Sequence, residues 1–336
     1  MTTAVAPQEL LWQGIFGLDA GQVQQAYAPG GIVLFARNLD DDPSLGPERC
    51  HALVQQLQDR WGRALPLAVA LDQEGGSVSR LRKWVGPTPP LRELWQRGGP
   101  RACQDWGALW GRGLAFLGIQ VDFAPVADLW DPDGVMGDRC AIADPTAAAR
   151  AAGAFLTGLE SAGVHGCLKH FPGLGGTRLD SHLGLPAQLD RLAIEGNAVP
   201  FRALAHPDRL VMVAHLLLPA TAGLPASLCR AMVQDNPWGI RARWLPDDLE
   251  MGGCRDWPWP ERVRRVLEAG HQALLVCQTP AGVNACAQAA ADLPEALVQP
   301  ALERFQGLRR RLRRAPGPFD KKGWDAWVGE LQQYLL

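Results

Sequence analysis

The chain has 336 residues, 47% of them hydrophobic and 20% charged, and a formal net charge of −2. That balance excludes a disordered chain, which needs low hydrophobicity and high net charge. It also excludes a globally basic protein that coats nucleic-acid phosphates. The length suits one α/β barrel or two smaller domains. Of 33 basic residues only four are lysines (Lys83, Lys169, Lys321 and Lys322), so 29 are arginines. A compositional bias of the genome accounts for such a skew, but it makes the position of each remaining lysine informative.

The opening stretch, MTTAVAPQELLWQGIFGLDAG, lacks a basic region leading into an apolar run and a small-residue cleavage site. It does not read as a secretion signal. No segment approaches 18 uncharged apolar residues, so no membrane helix is expected. The eight cysteines are scattered, without a CxxC pair or zinc-ligand spacing. Buried, reduced thiols in a cytoplasmic protein are the expectation.

Short β-type runs then recur: residues 30–38, 65–72, 119–128, 164–171, 209–219, 241–248 and 272–278, with a weaker eighth. Between them lie helical stretches such as RCHALVQQLQDRWG and PTAAARAAGAFLTGLESAG, the second closing at Gly163. Nearly continuous apolar strands alternating with helices imply a parallel sheet covered on both faces. A dinucleotide-binding sheet would carry GxGxxG, and a P-loop would carry a Gly-Lys pair; neither occurs. The strands instead share polar C-terminal ends: Asn38, Asp72, Asp128, Lys169 with His170, His215 and Asp247. A single α/β barrel of the (β/α)8 TIM type, with some irregular strands, brings such ends to one rim. Beyond residue 285 the signal fades into a helical region, 286–336, within one catalytic domain spanning 1–336. Its arginine-rich segment LERFQGLRRRLRR reads as a solvated helix face, with a nucleic-acid or acidic-partner patch as the other option.

The richest segment for chemistry runs from Lys169 to His182. Gly173, Gly175 and Gly176 make a loop able to approach a ligand closely. It presents Asp180-x-His182, in which a carboxylate fixes one imidazole nitrogen and frees the other for proton transfer. A surface loop with an incidental Asp and His is the plainer alternative. In residues 71–82, Asp72 and Glu74 at a strand end are followed by Arg80, a set suited to hydroxyl and carbonyl recognition or to a structural ion pair. Asp247 and Asp248 end the sixth run on opposite faces, so one carboxylate reaches the barrel mouth. A rim carboxylate facing a mobile acid/base is what a retaining glycosidase requires.

LDQEGGSVSR, the GDR of residues 137–139, KHFPGLGGTRLDSHLGLP and the strand-end DDLEM resemble the motifs of glycoside hydrolase family 3. Within it they are similar to the single-barrel β-N-acetylhexosaminidases of peptidoglycan recycling. The resemblance spans about residues 10–285. It implies Asp247 as nucleophile, His182 as proton donor and acceptor, and Asp180 as its orienting partner. It implies Asp72, Arg80, Arg139, Lys169 and His170 as binders of the N-acetylglucosamine unit, with His215 as pocket wall. No cofactor and no metal are implied. The implied substrate is a muropeptide disaccharide, N-acetylglucosamine β-1,4-linked to 1,6-anhydro-N-acetylmuramic acid, acted on by a monomer with no nucleic-acid or membrane partner. Two departures stand out: Leu174 where the family carries histidine, and Pro246 where it carries serine or threonine. Three rivals remain: a phosphorylase, a metal-dependent amidohydrolase barrel, and a sugar-binding homologue impaired in turnover. His51, His165, His206 and His271 read as structural or exposed. Among the thirteen tryptophans only Trp130 is expected near the mouth.

Overall fold

The structure, a computed structural model, describes residues 6–62, 64–313 and 317–336. Residues 1–5, at the start of the stretch read for a leader, lie outside the described residues, as do Arg63 and residues 314–316, the first of which ends the arginine-rich segment. Eight parallel strands follow in sequence order: β1 (Leu11–Gly14), β2 (Gly31–Leu34), β3 (Ala68–Leu71), β4 (Val121–Asp122), β5 (His165–Phe171), β6 (Leu210–Val213), β7 (Arg243–Pro246) and β8 (Leu274–Val276). They hydrogen-bond in the order β8-β1-β2-β3-β4-β5-β6-β7. The remaining seam is bridged where Gln272 N–H donates to Trp244 O at 3.1 Å and Leu249 N–H to Leu275 O at 2.9 Å. The result is a nearly closed (β/α)8-type barrel ringed by helices, as the strand and helix alternation predicts.

Seven strands fall within the predicted runs. The eighth, β1, lies in the opening stretch, where four residues buried throughout show no period-two alternation. The run 209–219 supplies only a four-residue strand, after which the chain turns across the rim. Helix Pro145–Ser161 is capped by Asp144, whose carboxylate accepts from Ala147 N–H at 2.6 Å. It packs closely on helix Leu91–Phe116, because a Cβ at Gly158 would sit 2.0 Å from Gln104 O and one at Gly107 would sit 2.3 Å from Phe155 O.

Trp12, Val33, Ala70, Phe123, Met212 and Leu245 fill the barrel interior. Fully burying a large side chain of this kind contributes about 1.5–3 kcal/mol. Helix Glu295–Arg309 closes the floor: Phe305 stacks against Trp12 with ring centroids 5.4 Å apart. On the same helix Arg309 is 4% exposed, pairs with Glu9 at 2.9 Å and donates to the carbonyls of Leu65 and Pro66. The expectation of a solvated arginine face is therefore wrong at Arg309, although Arg310, Arg311 and Arg313 are exposed. Helix Lys321–Leu335 lays Trp324, Trp327 and Leu331 on helix Leu91–Phe116, forming an aromatic cluster with Trp106 and Trp110. No helix among the described residues is long and apolar enough to cross a membrane. All eight cysteines are buried and unpaired.

Candidate active site

The C-terminal ends of the strands surround a cavity of about 260 Å3 lined by Asp72, Glu74, Arg80, Arg139, Lys169, His170, Leu174, His182, Asp247 and Asp248, among others. Every one of the eight residues implied as catalytic or sugar-binding lies on this wall except Asp180, which stands behind His182. Parallel strands of one barrel explain the convergence, since each delivers its last residues to the same rim.

Lys169, near the end of β5, is the hub of the wall's charge. Its Nζ lies 2.7 Å from Asp72 Oδ1 and 2.6 Å from Glu74 Oε1, and the residue is 1% exposed. Arg80 Nη2 adds a 3.3 Å contact to Asp72, and Arg139 grips Glu74 through Nε and Nη2 at 2.8 and 2.9 Å. Burial alone would raise both carboxyls. The Lys169 ammonium with Arg80 holds Asp72 below the usual carboxylate range, and Lys169 with Arg139 holds Glu74 well below it. The wall is thus fixed and ionised, presenting donors and acceptors to hydroxyl and amide groups. A Lys169→Met variant leaves two buried carboxylates without their shared cation, so a loss of about 3–5 kcal/mol in unfolding free energy is expected. Chemical denaturation checks it, and an unchanged midpoint would remove the hub assignment.

His170 places Nδ1 2.6 Å from Asp128 Oδ2. Asp128 Oδ1 also accepts from Leu174 N–H at 2.7 Å, so one carboxylate orients the imidazole and the start of the glycine loop. Leu174 itself is buried and lines the cavity, joining Phe35, Val78, Phe123 and Met212 among its apolar wall residues.

Asp247 follows β7 and is 9% exposed. Its N–H donates to Val213 O at 3.0 Å, so the ladder continues past Pro246, which ends the strand without an N–H. The two neighbouring carboxyls differ in charge state. Burial would raise Asp247, but His170, the Asp248 N–H and Lys169 outweigh it and lower its pKa. Asp248 is pushed up to about 7 by burial, despite accepting from Gln278 Nε2 at 2.6 Å and Glu250 N–H at 3.1 Å. Of the two, only Asp247 is fully ionised at neutral pH. Because the folded-state pKa of Asp248 exceeds that of an unfolded Asp, the folded state holds the extra proton between about pH 4 and pH 7. Stability is therefore lost as pH rises through that window. An Asp248→Asn variant is expected to melt higher than wild type at pH 8, with the gap narrowing toward pH 4. A gap that is constant or widens on acidification would contradict this.

His182 rides on the loop after β5. Its Nδ1 lies 2.8 Å from Asp180 Oδ1, which also accepts from His182 N–H at 2.9 Å. Nε2 has no protein partner among the described residues. The imidazole is 57% exposed, whereas the loop backbone is pinned: Gly252 N–H donates to His182 O at 3.2 Å and Gly253 N–H to Ser181 O at 3.0 Å.

Several expectations need correction. His215 does not line the cavity; it is fully buried behind the Asp247–Asp248 turn. Trp130 stacks on Arg92, 4.7 Å from Cζ to ring centroid, and is absent from the cavity wall. Glu74 and Asp128, noted only as strand-end acids, prove to be the carboxylates that hold Arg139, Lys169 and His170. Their spacing after Asp72 and before Trp130 carries no signal for those partners, which lie 65, 95 and 42 positions along the chain. Among the described residues no group of three or more His, Cys, Asp and Glu side chains is placed to hold a metal ion.

The fold and site agree with what the chain is similar to. The pattern of the glycosyl hydrolase family 3 N-terminal domain matches residues 19–308, reaching past the expected limit of 285 to include the floor helix. A β-hexosaminidase of Alkalilimnicola ehrlichii is 35% identical over 274 residues, covering 76% of each chain. The LpqI structure of Mycobacterium tuberculosis superposes with a TM-score of 0.77 at 34% identity, covering 92% of this chain and 93% of that one. Native NagZ from Neisseria gonorrhoeae gives a TM-score of 0.77 at 26% identity over 99% of both chains. The chain belongs to glycosyl hydrolase family 3 and is a glycoside hydrolase.

Proposed function

We propose that this family 3 enzyme, a β-N-acetylhexosaminidase, is a retaining exo-β-N-acetylglucosaminidase acting through a glycosyl-enzyme on Asp247. The observation that carries the reading is that the ionised Asp247 and the Asp180-held His182 line one small cavity. The cavity falls below the usual range of about 300–1,000 Å3 for drug-sized ligands, which suits a single terminal sugar. In the first step the Asp247 carboxylate attacks the anomeric carbon as the glycosidic C–O bond breaks, and protonated His182 gives its Nε2 proton to the leaving oxygen. In the second step neutral His182 takes a proton from water, which attacks the same carbon and releases Asp247. Asp72, Arg80, Arg139, Lys169 and His170 hold the hydroxyl and N-acetyl groups. Asp180 keeps the proton of His182 on Nδ1 between the two steps.

The substrate in this reading is N-acetylglucosamine β-1,4-linked to 1,6-anhydro-N-acetylmuramic acid, released in cytoplasmic cell-wall recycling. The whole chain, 1–336, acts as one catalytic unit and as a monomer. Phosphorolysis is a second reading, favoured by an acid/base that is an imidazole rather than a carboxylate and so does not repel phosphate. Incubation of the anhydro-disaccharide with and without phosphate distinguishes the outcomes. Free N-acetylglucosamine in both samples supports hydrolysis. The 1-phosphate in the phosphate sample supports phosphorolysis. Binding with no cleavage supports an impaired homologue, and neither binding nor cleavage overturns the substrate assignment.

A further inference from the structure

His215 is a buried histidine beside the nucleophile's turn that the mechanism above leaves without a role. Its ring has no solvent exposure, and Nε2 lies 2.9 Å from the carbonyl oxygen of Asp248. A carbonyl only accepts, so Nε2 carries the hydrogen and Nδ1 is the acceptor. Nδ1 has two suitable donors, Ser227 Oγ at 2.6 Å and Cys254 Sγ at 3.2 Å, both on fully buried residues. Ser227 is itself fixed: its N–H donates to Ala214 O at 3.1 Å and its carbonyl accepts from His271 Nε2 at 2.8 Å. Gly253 closes the other side, since a Cβ there would lie 2.6 Å from His215 Cβ. Burial also lowers the pKa of the imidazole, consistent with a ring that stays neutral.

The group held by this ring is the turn after the nucleophile. Asp248 N–H donates to Asp247 Oδ1 at 2.8 Å, so the orientation of the Asp247 carboxylate depends on where residue 248 sits. The same turn runs on to Gly252 and Gly253, whose N–H groups hold the backbone of the loop bearing His182. We propose that His215, as the neutral Nε2–H tautomer, is a positioning residue that fixes the 247–253 turn and thereby both the nucleophile and the acid/base loop. The proposal rests on Asp247 being the nucleophile.

The test compares His215→Gln with His215→Asn in hydrolysis of nitrophenyl β-N-acetylglucosaminide. A glutamine amide nitrogen stands where Nε2 stood and restores the bond to Asp248 O, whereas asparagine reaches only toward Ser227. The Gln variant is expected within a few-fold of wild-type kcat. The Asn variant is expected to lose about 10–100-fold in kcat, with KM within two-fold, as for a nucleophile shifted by a fraction of an ångström. Equal kcat in the two variants, or a loss confined to KM, overturns the proposal. If the Asn variant does not fold by circular dichroism, the Ser227→Ala/Cys254→Ala double variant, which removes both donors to Nδ1 and so frees it to take the proton, must show the kcat loss instead; unchanged kcat there overturns the proposal. An Asp247→Ala control separates the two claims. Activity in that control sinks the nucleophile assignment, whereas an inactive control beside a fully active Asn variant sinks only the role of His215.

Discussion

Replacing Asp247 by alanine is expected to lower kcat by about 10^4-fold or more while leaving the fold intact, the scale seen when a covalent nucleophile is removed. The magnitude follows from the division of labour on the wall. Asp72 and Glu74 are engaged by Lys169, Arg80 and Arg139, and Asp128 by His170. Asp248, with its pKa pushed up to about 7, is only partly ionised near pH 7 and is bonded to Gln278. No other cavity carboxylate is both ionised and free to attack. The space vacated by the carboxylate also admits a small external anion. Added azide should restore turnover of an activated substrate and yield the α-glycosyl azide, the configuration produced by one displacement at a β-glycoside. Undiminished activity without azide would remove Asp247 from the mechanism.

The second large effect is expected at His182. A His182→Ala change removes the proton donor, so hydrolysis of a disaccharide with a poor leaving group should fall by about 10^2–10^4-fold. A dinitrophenyl glycoside, whose leaving group needs no proton, should lose little in its first step and show a burst followed by slow turnover. Asp180→Asn should reproduce part of the loss, because an amide no longer favours the proton on Nδ1. Equal losses on both substrates would indicate that His182 binds rather than transfers protons.

The barrel was legible because buried parallel strands are short, apolar and polar-ended, and the polar ends converge without any knowledge of loop shape. Asp72, Lys169, His170 and Asp247 follow directly from that rule, and His182 from the glycine loop that carries it. What was hidden depends on contacts across long stretches of chain. Glu74 meets Arg139 65 residues away, and Asp72 meets Lys169 97 residues away. Arg309 belongs to a run that reads as solvated until Glu9, 300 residues distant, covers it. β1 was missed because Gln13 and Gly14 break its apolar run, although the glutamine is buried and accepts from Tyr27 OH at 3.0 Å. The scarcity of lysine, uninformative as composition, gains meaning at Lys169. A compact ammonium fits between two carboxylates where a planar guanidinium would need more room, so wild-type kinetics in Lys169→Arg would argue against that fit.

The most direct test of the double displacement is to trap its intermediate. The His182→Ala variant, given dinitrophenyl β-N-acetylglucosaminide, retains a nucleophile but lacks the base that activates water. Intact mass spectrometry should show the enzyme gaining one N-acetylglucosaminyl residue, and peptide mapping should place it on Asp247. An adduct on another side chain, or steady turnover by single displacement with an inverted first product, would contradict the mechanism.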